Sequence, residues 1–310
     1  MNLEQLRGFV EVSREGHFTR AAARLHLAQP SLSRQISTLE HELGSVLFHR
    51  SRGNISLTPA GELLLPLARR MLADADSVRR GMEELAGLRR GRVRIGATPT
   101  LCGTLVAEAL VGFHAAHPGI QLHVTERGSR GLIEELSAGQ LDLALVTGPA
   151  GRPGADASLD RAPLLREDLV VVSSAARPPL AAGAAEIGLA EVASLPQVVF
   201  HEGYELRATT DTAFRDAGLA PTAVVEGAEM DAVLRFVERG LGVAIVPAMV
   251  LIDRPGLRSA RLAGPRLGRT ISMAQRSDVV PTLAAQALRK AVVQAAAALV
   301  ADAPGLALAT

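Results

Sequence analysis

Between residues 29 and 38 the chain carries Gln29, Ser31, Ser33, Arg34, Gln35 and Thr38, and no acid appears until Glu40. Amides, hydroxyls and a guanidinium at helical spacing can exchange hydrogen bonds with base edges and phosphate oxygens, which is recognition chemistry rather than catalysis. Gln29, Ser33, Arg34 and Gln35 are assigned to bases. Ser31 is assigned mainly to the DNA backbone, as are Arg50 and Arg52 further on, while Pro30 and Thr38 share the same surface. Lys290 is the sole lysine, so every cationic contact in the first 61 residues comes from Arg, the side chain suited to forked contacts. Those residues hold seven Arg against five Glu, a slight basic excess within a net charge of +1.

A second group consists of hydroxyls and other polar side chains that fall where predicted strands end. Thr98 and Thr100 flank Pro99 after the run Val93 to Ile95, and Ser129 and Thr147 close the next two strands. His201, Tyr204 and Glu226 follow strands further along. In open α/β sheets a ligand binds beyond the carboxyl ends of strands, where helix N-termini offer free N–H groups. Each residue alone fits capping or turn chemistry equally well, and the set carries more weight than its members. Arg127, Arg130 and Arg207 near these positions fit an anionic ligand, and they fit solvated surface charge equally well.

Catalytic patterns are missing. There is no Gly-x-Ser-x-Gly elbow and no His-Glu-x-x-His, and Gly96 to Gly103 lacks the Lys and Ser/Thr of a phosphate loop. His114 and His117 lack identifiable carboxylate partners for a metal and read as solvated helix residues. Neither a metal nor a cofactor is expected. Cys102 is the only cysteine, so an intrachain disulfide is excluded. Its place near a helix start would lower its pKa, although a simple buried thiol is the preferred reading.

These groups need elements to hold them. Leu32, Ile36, Leu39 and Leu43 recur at steps of four, three and four, putting the apolar side of one helix opposite the polar one, with Pro30 in its first turn. A short helix through Ala21, Ala22, Ala23 and Leu25, capped by Thr19, and a turn at His26-Leu27-Ala28 complete a helix-turn-helix. Val46 to Arg50 and Asn54 to Leu57 flank Ser51-Arg52-Gly53 as a hairpin wing with Arg50 and Arg52 near its tip. Leu3, Leu6, Phe9, Val10 and Ser13 mark a first helix that ends before Gly16.

From Pro59 to about Leu88 a long helix is predicted, capped by Thr58 and with Pro66 near its start. Leu64, Ala68, Met71, Ala75, Val78, Met82 and Leu85 alternate steps of four and three, a coiled-coil seam for pairing two copies. A helix lying on its own domain is the alternative. Beyond Gly91 strands and helices alternate, which predicts a parallel sheet covered by helices, and residues after about Asp302 read as a frayed tail.

The residues Ala21-Ala22, Leu25, Gln29-Pro30, Leu32-Ser33, Gln35-Ile36, Leu39-Glu40, Leu43-Gly44, Leu47-Phe48, Arg50 and Thr58-Pro59-Ala60-Gly61 resemble the winged helix-turn-helix of LysR-type transcriptional regulators. Gly139-x-Leu141-Asp142 and Gly240-x-Gly242-x-x-x-Val246-Pro247 resemble signatures of that family's effector domain. Ala28 departs from the Ser or Thr the family often carries, which weakens the helix cap by about 1 kcal/mol. The resemblance implies an α/β multidomain chain with a winged helix-turn-helix at 1–58, a linker helix at 59–90, and a two-subdomain, periplasmic-binding-protein-like effector domain at 91–310. Subdomain I would comprise about 91–165 and 268–302, and subdomain II about 166–267. The cleft between them would receive Thr98, Thr100, Ser129, Thr147, His201, Tyr204 and Glu226.

The partners implied are double-stranded operator DNA, a small-molecule effector, a second or further copies as homodimer or homotetramer, and RNA polymerase. A metabolic α/β binding protein or enzyme with an incidental helical N-terminus is the alternative function. No apolar run approaches the roughly 20 residues of a bilayer span and the N-terminus lacks a signal-peptide pattern, so a cytoplasmic protein without a membrane partner is expected.

Overall fold

A computed structural model of the 310-residue chain describes residues 1–51, 54–84, 91–148, 159–178, 180, 186–264, 267–302 and 305–309. Helix α1 (Leu3–Glu15) opens on a capping box between Asn2 and Gln5 and stops at Gly16 in the left-handed conformation. Its buried face is Gln5, Leu6, Gly8, Phe9 and Val12, so Val12 rather than Ser13 completes the stripe. Helix α2 (Phe18–Arg24) is capped by His17 and not by Thr19, because the His17 Nδ1 accepts from the Thr19 N–H at 3.1 Å. Helix α3 (Gln29–Leu43) has Ala28 at its N-cap without a side-chain bond, and Pro30 fills the first turn. Leu32, Ile36 and Leu39 are fully buried, but Leu43 is exposed because the chain turns away at Gly44.

Strands β1 (Phe48–Ser51) and β2 (Asn54–Leu57) pair antiparallel as the wing. Thr58 then caps α4 (Pro59–Glu84), its Oγ1 accepting from the Gly61 N–H at 3.1 Å. The predicted seam divides on this helix. Ala68, with Leu64, Leu65 and Leu72, packs into the core of the N-terminal domain, and Met71, Val78 and Met82 are 42%, 62% and 66% exposed, next to exposed Leu63 and Leu67. One face of the rod lies on its own domain, and another leaves an apolar stripe open from Leu63 to Met82. Leu85, the last seam position, lies outside the described residues, as do positions 86–90.

The remainder runs β3 (Gly91–Ala97), α5 (Pro99–Leu101), a π-turn (Cys102–Val106), α6 (Ala107–Ala116), β4 (Ile120–Glu126), α7 (Ser129–Ser137), β5 (Leu143–Thr147), β6 (Leu159–Ser174), β7 (Glu186–Gly188), α8 (Leu189–Ser194), β8 (Gln197–Phe200), α9 (Glu205–Asp216), β9 (Ala223–Ala228), α10 (Met230–Glu238), β10 (Ala244–Pro247), a 3₁₀ turn (Ala248–Leu251), β11 (Leu257–Ala263), β12 (Gly268–Arg276), α11 (Leu283–Asp302) and β13 (Leu306–Leu308). The sheet is mixed rather than parallel. β3 pairs parallel with β4 and β5, whereas β12 runs antiparallel to both β5 and β6, and β10, β11 and β13 add antiparallel to β6.

β6 pairs with β12 over its first half and with β10 and β11 over its second. The subdomain boundary expected near residue 165 therefore falls inside one unbroken strand. The expected frayed tail is also corrected: Leu306 to Leu308 extend the sheet on β6, with Leu306 buried. Two helical stretches, Pro99–Ala116 and Leu283–Ala301, are long and apolar enough to cross a bilayer, contrary to the estimate from apolar runs. Both contribute to the first-subdomain core, through Leu105, Phe113, Leu288, Val292 and Ala296.

The rod docks on this domain through the glycine signature. A Cβ at Gly139 (φ +70°) would fall against Ala73 of α4 and 3.0 Å from Arg276. Arg276 bonds Asp74 of the rod at 2.6 Å, and Asp142 bonds Arg94 at 2.6 Å and Arg80 of the rod at 3.3 Å.

Candidate DNA-reading face and effector cleft

The outer side of α3 exposes Gln29, Pro30, Ser31, Arg34 and Thr38, while Ser33 is half-buried. Thr38 Oγ1 donates to the Arg34 carbonyl at 2.9 Å, so its hydroxyl proton is used within the helix. Gln35 departs from an open position: it is half-buried, and its carboxamide oxygen is enclosed beside Gly8 of α1 with no hydrogen-bond partner among the described residues. Gly8 is needed there, since a Cβ would come within 2.7 Å of Leu32.

Arginines elsewhere in this domain are engaged. Arg7 pairs with Glu4, Arg14 with Glu11, and Arg20 and Arg24 with Glu15. Arg50, near the tip of the wing, bonds Glu40 at 2.8 Å and lies over the Phe18 ring at 5.4 Å. Glu40 also accepts from the Leu47 N–H at 2.9 Å and so clips the wing to the recognition helix. Arg34 has no carboxylate partner among the described residues and points outward. Arg52 lies outside the described residues.

On the other domain a cleft of about 950 Å³ opens between the two subdomains. Thr98, Thr100, Ser129, Thr147, His201 and Tyr204 line it together, as the strand-end argument anticipated. Glu226 does not. It bonds Arg207 at 3.1 Å outside the cleft, where Arg207 also holds Asp211 and the Phe200 carbonyl. Arg127 and Arg130 lie at the rim but are paired with Glu135 and Glu134. The three arginines that suggested an anion thus have structural partners.

Sequence reasoning missed Arg269, Glu167, Glu205 and Glu229. Arg269 donates from Nε to Glu167 at 2.7 Å and from a terminal nitrogen to Thr100 Oγ1 at 2.9 Å, a contact spanning 169 residues. Thr147 Oγ1 and Ser129 Oγ bond Glu205 of α9 at 2.9 and 3.2 Å, across the cleft. His201 Nε2 sits 3.2 Å from Glu229 and its Nδ1 accepts from the Gly203 N–H. Tyr204 stacks on Phe200 at 4.7 Å, and burial with Glu229 nearby pushes its hydroxyl up to about 12. Local patterning offers no sign of these pairs.

Cys102 reverses the expectation of a lowered pKa. Burial, and secondarily Glu126, pushes its thiol up to about 11, outweighing the helix start. At pH 8 the native thiolate fraction falls roughly 100-fold below that of an unperturbed thiol, and the greater nucleophilicity of the more basic thiolate returns part of this, so iodoacetamide should alkylate the folded chain at least about tenfold more slowly than the urea-unfolded chain. Mass spectrometry of a time course checks this, and equal rates would refute it. Among the described residues no cluster of His, Cys, Asp and Glu suits a metal ion.

A winged helix-turn-helix joined by a helical rod to a hinged, hydroxyl-lined cleft defines a ligand-responsive DNA-binding regulator. The chain belongs to the LysR family of transcriptional regulators. Residues 3–62 match the bacterial regulatory helix-turn-helix protein, lysR family, and residues 86–297 match the LysR substrate binding domain.

Among its relatives, the Bacillus subtilis HTH-type transcriptional regulator YybE is 33% identical over 88% of this chain and 92% of its own. A Streptomyces viridosporus protein named as a probable hydrogen peroxide-inducible genes activator is 32% identical over 89% of this chain and 88% of its own. Among solved structures, full-length OxyR of Pseudomonas aeruginosa superposes with a TM-score of 0.71 at 26% identity, over 96% of this chain and 94% of that one. Full-length CbnR with its target DNA gives 0.68 at 26% identity, over 95% and 100%.

Proposed function

We propose that this regulator reads its operator chiefly through Arg34 at the exposed face of α3, and that a small molecule in the subdomain cleft adjusts its action there. The carrying observation is that Arg34 alone among the described arginines of the winged domain points outward without a carboxylate, leaving its forked donors for guanine or phosphate. Gln29, Ser31 and Ser33 flank it. The structure of CbnR with target DNA supports a DNA partner of this kind. The open stripe of Met71, Val78 and Met82 supports pairing with a second copy through the rod, which presents two reading helices to a pseudo-symmetric site. Ligand closure of the cleft then alters the placement of the DNA-binding domains and their contact with RNA polymerase. The protein does not catalyse a reaction and works in the cytoplasm, in keeping with relatives that are transcriptional regulators.

The relative named for hydrogen peroxide-inducible genes raises response to peroxide as a second signal. The single cysteine, whose thiol burial pushes up to about 11, argues against a thiol that carries such a response.

An electrophoretic titration with the DNA flanking its own gene, at two salt concentrations, tests the DNA assignment. Affinity should drop steeply with salt through counterion release, and Arg34→Ala should reduce operator discrimination by about 1–3 kcal/mol. Salt-independent binding, or undiminished discrimination in the variant, would remove Arg34 from the reading.

A further inference from the structure

Glu205 is the first residue of α9, on the second subdomain, and its Oε2 takes hydrogen bonds from Thr147 Oγ1 and Ser129 Oγ on the first. Both hydroxyl residues are buried. Ser129 Oγ also accepts the Thr147 N–H at 3.0 Å and lies 3.0 Å from Thr147 Oγ1. Two hydroxyls bring two protons, and their mutual contact can use only one. At least one proton must find an acceptor elsewhere, since a buried donor without a partner is costly. Glu205 supplies that acceptor from the opposite wall, although it is itself an exposed residue and borders a cleft of about 950 Å³.

We propose that Glu205 is a tethered occupant of an oxyanion seat formed by Ser129 and Thr147, and that a carboxylate-bearing ligand of the cleft binds by displacing it. The proposal rests on the reading of this cleft as the effector site. Tethering gives the side chain a high effective concentration at the seat, so weak anions are kept out and only a ligand with further contacts in the cleft competes. Displacement also breaks a polar link between the subdomains. Occupancy of the seat and the relative placement of its two walls are therefore coupled.

Acetate is the probe that isolates the seat from the rest of the cleft. In the full-length protein, Glu205→Ala removes an exposed side chain and leaves the two donors open. Thermal unfolding is compared in sodium acetate and in sodium chloride at matched ionic strength, for the wild type, Glu205→Ala, and Glu205→Ala combined with Ser129→Ala. The expected result is saturable, acetate-specific stabilisation of Glu205→Ala with an apparent dissociation constant at least tenfold below that of the wild type, abolished in the double variant. No acetate-specific effect, an equal effect in the wild type, or an effect that survives Ser129→Ala would each overturn the proposal. Failure here is separable from failure of the regulator reading, because the DNA titration does not depend on Glu205.

Discussion

Replacing Arg269 by Ala should destabilise the effector domain by about 3–5 kcal/mol, the usual result of stripping one partner from a buried ion pair. Glu167 has no exposed side-chain surface, and its two oxygens have separate duties. Oε1 accepts from the Met249 N–H at 2.7 Å, and Oε2 is held by Arg269 Nε at 2.7 Å. Without the guanidinium, Oε2 loses its side-chain donor at the junction where β6, β12 and β13 meet, since Glu167 lies opposite both Arg269 and Leu306 in the ladders.

The chain has no Trp and a single Tyr, at the cleft, so Tyr204 emission reports on this domain by itself. Urea unfolding followed by that signal measures the loss. Replacing both charges, as Glu167→Leu with Arg269→Met, should recover much of it, because the lone buried carboxylate is the costly species. A loss below about 1 kcal/mol in Arg269→Ala would show that Glu167 finds another partner and that the pair does not hold this junction together.

The second large effect is expected in the other domain. Phe48 is buried between Phe9, with ring centroids 5.3 Å apart, and Phe18, at 6.0 Å. It joins the wing to both helices beneath α3. Phe48→Ala should cost about 3–5 kcal/mol through lost burial and the cavity left behind. A winged domain of this size has only about 3–9 kcal/mol at its disposal, at roughly 0.05–0.15 kcal/mol per residue. The variant should therefore lose most DNA affinity and part of its helical circular dichroism while the Tyr204 transition stays in place. Retained operator binding at wild-type affinity would mean that the aromatic trio does not support the recognition helix. A matching shift of the Tyr204 transition would mean that the two domains unfold as one unit through the rod.

Both predictions involve groups of different legibility. Phe48 sits beside equally buried Leu47 without a repeat, whereas Leu32, Ile36 and Leu39 stand out because a helix repeats its buried face at a fixed short period, so the pattern survives in the linear order. The same holds for the Thr58 cap, the Gly16 and Gly44 stops and the short polar run of α3. The hydroxyls of the cleft were found for a related reason: strand ends converge in this kind of sheet, so Thr98, Thr100, Ser129 and Thr147 could be gathered from their order alone. His17 was missed as a cap because its ring nitrogen can accept from the helix but histidine seldom serves that purpose. The parallel sheet was expected because alternation of strands and helices does not show β12 returning from the far end of the chain to lie between β5 and β6.

By itself, the sequence determined the winged helix-turn-helix, the capped rod and a second domain of alternating strands and helices, since each element is written in residues a few positions apart, and the effector role of that domain came from the family resemblance. Only the tertiary structure decided which face of the rod stays uncovered, that Arg50 is clipped to Glu40 while Arg34 is not, and that Glu226 belongs outside the cleft and Glu205 within it. Charged partners in a chain with 33 basic and 32 acidic residues are chosen by distance in space, and no spacing along the sequence encodes a bond such as that from Arg269 to Thr100.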